Sequence, residues 1–130
     1  MRQSNNRCFG CGDANPIGLH MQFQQDGDFL CSEVVVGSEY EGYQGVVHGG
    51  IVSTLLDEIM ANHLYALGYT VMTAELQVRF IHPVPAGETI RLSSRIRTIN
   101  RHNLYEAEAW ATLPDGRVAA RGQAKMLPLK

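Results

Sequence analysis

Gly49-Gly50-Ile51-Val52-Ser53-Thr54-Leu55-Leu56-Asp57-Glu58-Ile59-Met60-Ala61-Asn62-His63-Leu64-Tyr65-Ala66-Leu67 is the stretch from which the fold can be read. At about 3.6 residues per turn it makes a helix of roughly five turns. Ile51, Val52, Leu55, Leu56, Ile59, Met60, Leu64 and Leu67 fall around one broad side of it. Gly68 closes it. A stripe that wide must be covered by the rest of the chain. Ser53, Thr54, Asp57, Glu58 and Tyr65 fill the remaining sector.

On both sides of the helix the period changes from helical to alternating. Upstream, Leu19, Met21 and Phe23 alternate with His20, Gln22 and Gln24, Asp26-Gly27 offers a turn, and Phe29 to Val36 resumes as a strand, which predicts a hairpin. Downstream, Ala74, Leu76, Val78 and Phe80 share one side of a strand, and Thr73, Glu75, Gln77 and Arg79 the other, until Pro83 and Pro85-Ala86-Gly87 end it. In the next strand Ile90, Leu92 and Ile96 face one way and Arg91, Arg95 and Arg97 the other. A turn at 100–103 sets Arg97 opposite Glu106 and Arg95 opposite Glu108, so the arginine row reads as cross-strand ion pairing rather than a phosphate site. Leu113-Pro114-Asp115-Gly116 marks another turn, and Val118 to Leu127 is the last strand. The order β-β-α-β-β-β-β predicts an α+β fold: an antiparallel sheet of about six strands wrapped around one long central helix. Residues 1–17 are polar and irregular and carry Cys8-x-x-Cys11, so they read as a lead-in laid over a domain of residues 18–130.

Composition excludes several classes. The 130 residues suit one domain, and 45% hydrophobic with 18% charged residues is the balance of a globular chain, not a disordered one. A net charge of −2 gives no general attraction to nucleic acid. No apolar run is long enough to span a membrane and residues 1–7 lack the apolar core of a signal peptide, so a cytoplasmic protein with no membrane partner is expected. An odd cysteine count without an export signal predicts free thiols.

Chemistry concentrates at the start of the helix. Gly45-Val46-Val47-His48-Gly49-Gly50 enters it without a Ser, Thr, Asp or Asn cap. The first N–H groups are then available to a ligand oxygen, which the helix dipole favours when it is negative; a tight turn against the sheet would use the same glycines. Asp57 sits mid-helix on the polar strip with Ser53, and inside a sheet that strip lines a cleft. Glu58, about 100° around the wheel, is its rival.

His48-Gly49-Gly50, Asp57 seven residues beyond, then Thr73-Ala74-Glu75-Leu76-Gln77-Val78-Arg79-Phe80 and Pro83 to Gly87 resemble the hot-dog superfamily, in particular its phenylacetate-pathway type of acyl-CoA thioesterase. Cys8-Phe9-Gly10-Cys11-Gly12 with Asn15-Pro16 and Gly18-Leu19 is similar to the lead-in of a subset of these proteins. The resemblance implies thioester hydrolysis of an acyl-CoA, with Asp57 as base or nucleophile, the Gly49 N–H on the thioester carbonyl, His48 shaping the loop and Thr73 near the reacting water. Where several relatives carry an asparagine ahead of the His-Gly-Gly, this chain reads Gly42-Tyr43-Gln44-Gly45, so Gln44 is the candidate substitute, beside Gly50, for holding substrate. The departure keeps open a non-catalytic acyl-CoA or ligand-binding relative; a dehydratase fits less well, because its aspartate–histidine pair ahead of the helix is absent.

Arg79, His82 and Arg101 are the candidate partners of the coenzyme phosphates. Neither cofactor nor metal is expected. Cys8-x-x-Cys11 is half of a zinc site, but no second such pair exists and His20, His48 and Cys31 are scattered. His63 and Met60 read as core. Finally, Gly49 and Asp57 are separated by about 12 Å along the helix axis at 1.5 Å per residue. One thioester cannot touch both, so a two-fold homodimer with antiparallel helices is expected to pair Gly49 of one chain with Asp57 of the other. The resemblance implies the same arrangement, often as a dimer of dimers, hence a homotetramer.

Overall fold

Helix α1 spans Gly49–Ala66 in a computed structural model that describes residues 6–129; residues 1–5 of the lead-in and Lys130 lie outside the described residues. Around it run β1 (Gln24–Asp26), β2 (Phe29–Val35), β3 (Val71–Phe80), β4 (Thr89–Arg101), β5 (Leu104–Thr112) and β6 (Val118–Pro128), with a 3₁₀ turn at Ser38–Tyr40. All pairings are antiparallel and the strands form one sheet in the order β1-β2-β4-β5-β6-β3. The expected α+β architecture, a six-stranded antiparallel sheet with one long helix, is the observed one.

The helix can lie close to the sheet because the strands beneath it present small residues. Ala107, Ala109 and Ala111 of β5 and Ala120, Gly122 and Ala124 of β6 are buried. A Cβ on Gly122 would stand 3.4 Å from Leu56 Cβ, already in contact with the helix. Into this shallow trough α1 inserts Leu55, Leu56, Ile59, Met60 and Leu64, none more than 1% exposed. Burial of each such side chain stabilises by about 1.5–3 kcal/mol. His63 joins this core as expected, its Nδ1 3.1 Å from the buried Ser94 Oγ. Burial pushes the His63 pKa down, with the Ser94 hydrogen bond opposing it.

Four local expectations are corrected. Leu67 is the C-cap, outside the last turn, and is 48% exposed rather than on the core face. The first hairpin is short: only Gln24–Asp26 pairs with β2, because the N–H groups of Leu19 and Met21 bond Phe9 O (2.7 Å) and Gly10 O (2.9 Å) in the lead-in. His20 (φ 54°) breaks the extended path there. In β3 a register shift between Thr73 and Glu75 interrupts the alternation, leaving Ala74 and Phe80 exposed while Leu76 and Val78 are half-buried. A second irregularity, in β4, places Thr98 rather than Arg97 opposite Glu106, and Arg97 pairs with Glu108 at 3.1 Å; Arg95 lies opposite Glu108 as expected.

Two features position the site. β3 is an edge strand of the sheet and pairs only with β6. The lead-in closes over the opposite flank through Phe9 against Tyr40, 6.4 Å between ring centroids, and the Tyr40 hydroxyl donating to Ile17 O. Among the described residues no helix is long and apolar enough to cross a membrane.

Candidate active site

The first turn of α1 is capped by a side chain that composition alone does not flag. His48, with φ −56° and ψ 136°, turns its ring onto the helix end, and Nδ1 accepts from the Gly50 N–H at 2.9 Å. The expectation of uncapped N–H groups is therefore corrected at Gly50, whose donor is spent. Ile51 and Val52 both donate to His48 O, at 2.9 and 3.1 Å. Among the described residues the Gly49 N–H has no acceptor, which leaves one polarised donor at the positive end of the helix dipole. Gly49 lies against Phe80, whose ring would be 3.6 Å from a Cβ at that position. Both line an open cavity of about 610 Å³ together with Tyr43, His48, His82 and Val84.

Asp57 is half-buried and accepts a hydrogen bond from Thr73 Oγ1 on Oδ1 at 2.5 Å. Burial pushes its pKa above the ordinary 3.8, the Thr73 hydroxyl pulls it down, and the nearby Glu58 charge adds a further rise. Its Oδ2 has no hydrogen-bond partner among the described residues. The result is a carboxylate held at one oxygen and open at the other, with an affinity for protons raised by its surroundings.

Within one chain these two groups do not meet. Asp57 bonds Thr73, which pairs with Met126, while Gly49 packs on Phe80, which pairs with Ala120. At about 3.3 Å per strand residue the seven steps from Thr73 to Phe80 span roughly 23 Å. Half of the expected constellation, Asp57 with Thr73, lies at one end of the edge strand, and the other half, Gly49 with His48, at the other.

The remaining expectations separate clearly. Gln44 is exposed and forms no hydrogen bond among the described residues. His82 is half-buried and lines the Gly49 cavity. Arg79 is exposed at the same end of the sheet, directly across from Arg121. Arg101 is exposed at the β4–β5 turn, next to the pair Tyr105–Met126, and so belongs to the Thr73 end. The three candidate phosphate partners thus do not converge within one chain.

Glu58 has a role that sequence reasoning missed. Its Oε1 accepts from Cys8 Sγ (3.2 Å) and from Asn62 Nδ2 (2.7 Å). The thiols of Cys8 and Cys11 and the Glu58 carboxylate all lie within 4.8 Å of one another, whereas His20, His48 and Cys31 take no part. Burial, Cys8 and Glu58 together push the Cys11 thiol up to about 12. The available signal was the glycine spacing: a Cβ on Gly10 would fall 2.4 Å from Glu58 Cδ, so a glycine between the cysteines is what lets the loop close on the carboxylate. Cys8, Cys11 and Cys31 are each outside any disulfide.

A sequence profile of the thioesterase superfamily matches residues 44–111, from the loop ahead of the helix through β5. The chain belongs to the thioesterase superfamily. Among curated relatives, acyl-coenzyme A thioesterase THEM5 of Mus musculus is 30% identical over 69 residues, 53% of this chain and 28% of that protein. The chain thus matches less than a third of the length of the curated relatives, 28 to 31%. Among solved structures, the PaaI protein from the phenylacetic acid degradation operon of E. coli superposes with a TM-score of 0.78 at 17% identity, covering 86% of this chain and 81% of its own. A hypothetical thioesterase of Streptococcus pneumoniae, solved with coenzyme A, gives 0.76 at 16% identity over 83% of this chain and 87% of its own. At such identities these likenesses establish the shared fold, that of the PaaI-type hot-dog thioesterases.

Proposed function

We propose that the protein hydrolyses acyl-CoA thioesters to a carboxylic acid and CoA, with Gly49 and Asp57 contributed by different subunits of a homodimer. The observation that carries this reading is the presence, in one thioesterase-superfamily chain, of a free Gly49 N–H at the helix N-terminus and of a half-buried, proton-attracting Asp57. A thioester carbonyl gathers negative charge as water attacks, and an N–H aimed at that oxygen stabilises it. Asp57 takes the proton of the attacking water, or attacks directly to give an anhydride that water then opens. Thr73 holds Asp57 in place through Oδ1, leaving Oδ2 for the reacting water or thioester. His48 orients the loop by capping Gly50, so Gly50 shapes the oxyanion site through its backbone path rather than through its N–H.

The edge strand supports the two-chain site. An exposed strand of ten residues with Met72 and Phe80 uncovered invites pairing with a second copy. Antiparallel pairing of β3 with its own copy about a two-fold axis sets the Thr73 end of one chain beside the Phe80 end of the other. Asp57 then approaches the partner subunit's Gly49, twice per dimer. The same symmetry carries Arg101 toward the partner's His82 and Arg79, where the three side chains meet the coenzyme phosphates. Gln44 supports the mouth of the site. A dimer of dimers in the cytoplasm is the assembly and location we assign.

Two details of the Streptococcus pneumoniae protein accord with this. It was solved with coenzyme A, and two variants of it replace an aspartate and a threonine that lie sixteen residues apart, the spacing between Asp57 and Thr73. The decisive experiment is a panel of acyl-CoA thioesters, aliphatic and aromatic, followed with a thiol reagent that reports free CoA. Turnover of at least one class with release of one thiol per ester is expected. Tight binding of the panel without thiol release would establish the ligand-binding alternative that the Gln44 departure keeps open.

A further inference from the structure

Cys8, Cys11 and Glu58 bring two thiols and a carboxylate together beneath the lead-in, all half-buried and with their ligand atoms within 4.8 Å of one another. We propose that this cluster is a zinc site, with Cys8 Sγ, Cys11 Sγ and one Glu58 carboxylate oxygen as protein ligands and water in the fourth position. The distances suit the ion. With Zn–S near 2.3 Å and Zn–O near 2.0–2.2 Å, tetrahedral angles put the ligand atoms about 3.5–3.8 Å apart. Cys8 Sγ and Glu58 Oε1 stand at 3.2 Å, so small side-chain rotations suffice. Two thiolates select a soft or borderline ion such as zinc over magnesium or calcium.

The backbone is built for this contact. A Cβ at Gly10 would lie 2.4 Å from both Glu58 Cγ and Cδ, and one at Gly12 would lie 2.3 Å from Asn6 O, so neither position of the Cys8–Gly12 loop admits a side chain without displacement. The loop is held closed by Gly12 N–H to Cys8 O (2.8 Å) and by Leu19 and Met21 N–H to Phe9 and Gly10 O. Glu58 is in turn oriented by Asn62 Nδ2 at 2.7 Å, the outer hydrogen bond that ligating carboxylates require. On binding, Zn²⁺ displaces the two thiol protons to solvent and joins two thiolates and one carboxylate, leaving the cluster with one net negative charge. The ion staples the lead-in to α1 across fifty residues of sequence.

The test needs no thioester. The chain, stripped with a chelator under reducing conditions, is titrated with Zn²⁺ and weighed by native mass spectrometry, and its cysteines are alkylated with and without the metal. One zinc per chain is expected, with Cys8 and Cys11 protected from alkylation and Cys31 unprotected. Co²⁺ in its place should give the thiolate charge-transfer absorption and strong visible bands of a tetrahedral sulfur site. Cys8→Ser and Glu58→Gln should abolish stoichiometric binding, and Asn62→Ala should weaken it about 10- to 100-fold. Failure of the unmodified, reduced chain to retain zinc, equal alkylation of all three cysteines, or unchanged affinity in Glu58→Gln would overturn the proposal. So would isolation of the metal-free protein with Cys8 and Cys11 joined as a disulfide that reduction and zinc cannot replace.

Discussion

Asp57 and Glu58 leave α1 about 100° apart, and the two flanks of the helix that they reach are built differently. On the Asp57 flank stands the open edge strand β3, which offers one hydroxyl, Thr73, and leaves Oδ2 unengaged. On the Glu58 flank the lead-in folds over, and a single oxygen accepts from both Cys8 and Asn62. Neighbouring carboxylates of nearly equal intrinsic acidity thereby acquire different uses. One is kept available to a reacting molecule; the other is consumed in holding the chain to itself.

The sharpest way to break this contrast is to remove each carboxylate in turn. Asp57→Ala should lower kcat for the best thioester by about 10²- to 10⁴-fold, the usual worth of a positioned general base, with more if Asp57 is the nucleophile. Glu58→Gln should cost far less than that, while disturbing the lead-in. Equal losses in the two variants would erase the distinction. Stability supplies an independent check, because the folded Asp57 pKa is raised above 3.8. The folded chain then holds this proton to higher pH than the unfolded chain, so the protonated group's contribution is present at low pH and lost as pH rises through the raised value. Urea midpoints should therefore find Asp57→Asn more stable than the parent at pH 7, with the gap closing near pH 4 and below.

A somewhat smaller effect is expected at the other end of the helix. Gly49→Pro deletes one N–H at the first helical position, where proline is well tolerated, and the extended His48 backbone is compatible with a following proline. The rate should fall about 10²- to 10³-fold, the range for loss of one oxyanion donor, with little change in thermal stability. Combined with Asp57→Ala this variant also tests the shared site. Each chain alone should be nearly inactive. Co-refolded in equal amounts at random, half of the dimers are mixed and each regains one good site, returning about a quarter of the parent activity. Verified subunit exchange without any recovery would place both groups of a site in one chain.

How far the sequence carries this picture differs between the same two flanks. The helix is legible from Gly49 because its apolar period is long and its end is marked by glycine, and Asp57 is legible because the helical period puts it on the polar strip with Ser53; Thr73 is legible only through the resemblance, since the register shift beside it breaks the strand period. The trough of Ala107, Ala109, Ala111, Ala120 and Ala124 is not: alanine carries little pattern, and its meaning here depends on the helix lying 3.4 Å from a Cβ on Gly122. The His48 cap is invisible to a search for oxygen caps, since an imidazole nitrogen does the accepting. The shortened β1 and the Glu58 cluster were both hidden for one reason. The backbone partners of the lead-in, Leu19 and Met21, bond across a non-periodic loop and its side-chain partner Glu58 lies fifty residues on, whereas periodicity reports only local faces.

The finest test concerns the one hydrogen bond that Asp57 makes. Thr73 Oγ1 donates to Oδ1 and so favours the ionised carboxylate, opposing the effect of burial. Thr73→Val keeps the branched shape suited to a strand and removes the hydroxyl that donates to Asp57. The pKa of Asp57 should then rise further, because desolvation is no longer opposed. If Asp57 acts in its ionised form, kcat increases with pH as the carboxylate deprotonates, and in Thr73→Val that rising limb moves to higher pH. On the alkaline plateau the base is fully ionised in both proteins, so the rates there should differ by less than about tenfold, below the range expected for losing a positioned base. If Thr73 instead holds the attacking water, the plateau itself drops by more than tenfold and the limb stays where it was. A pH–rate profile of the two proteins on one thioester separates these outcomes: movement of the limb assigns Thr73 to positioning Asp57, and collapse of the plateau assigns it to the water.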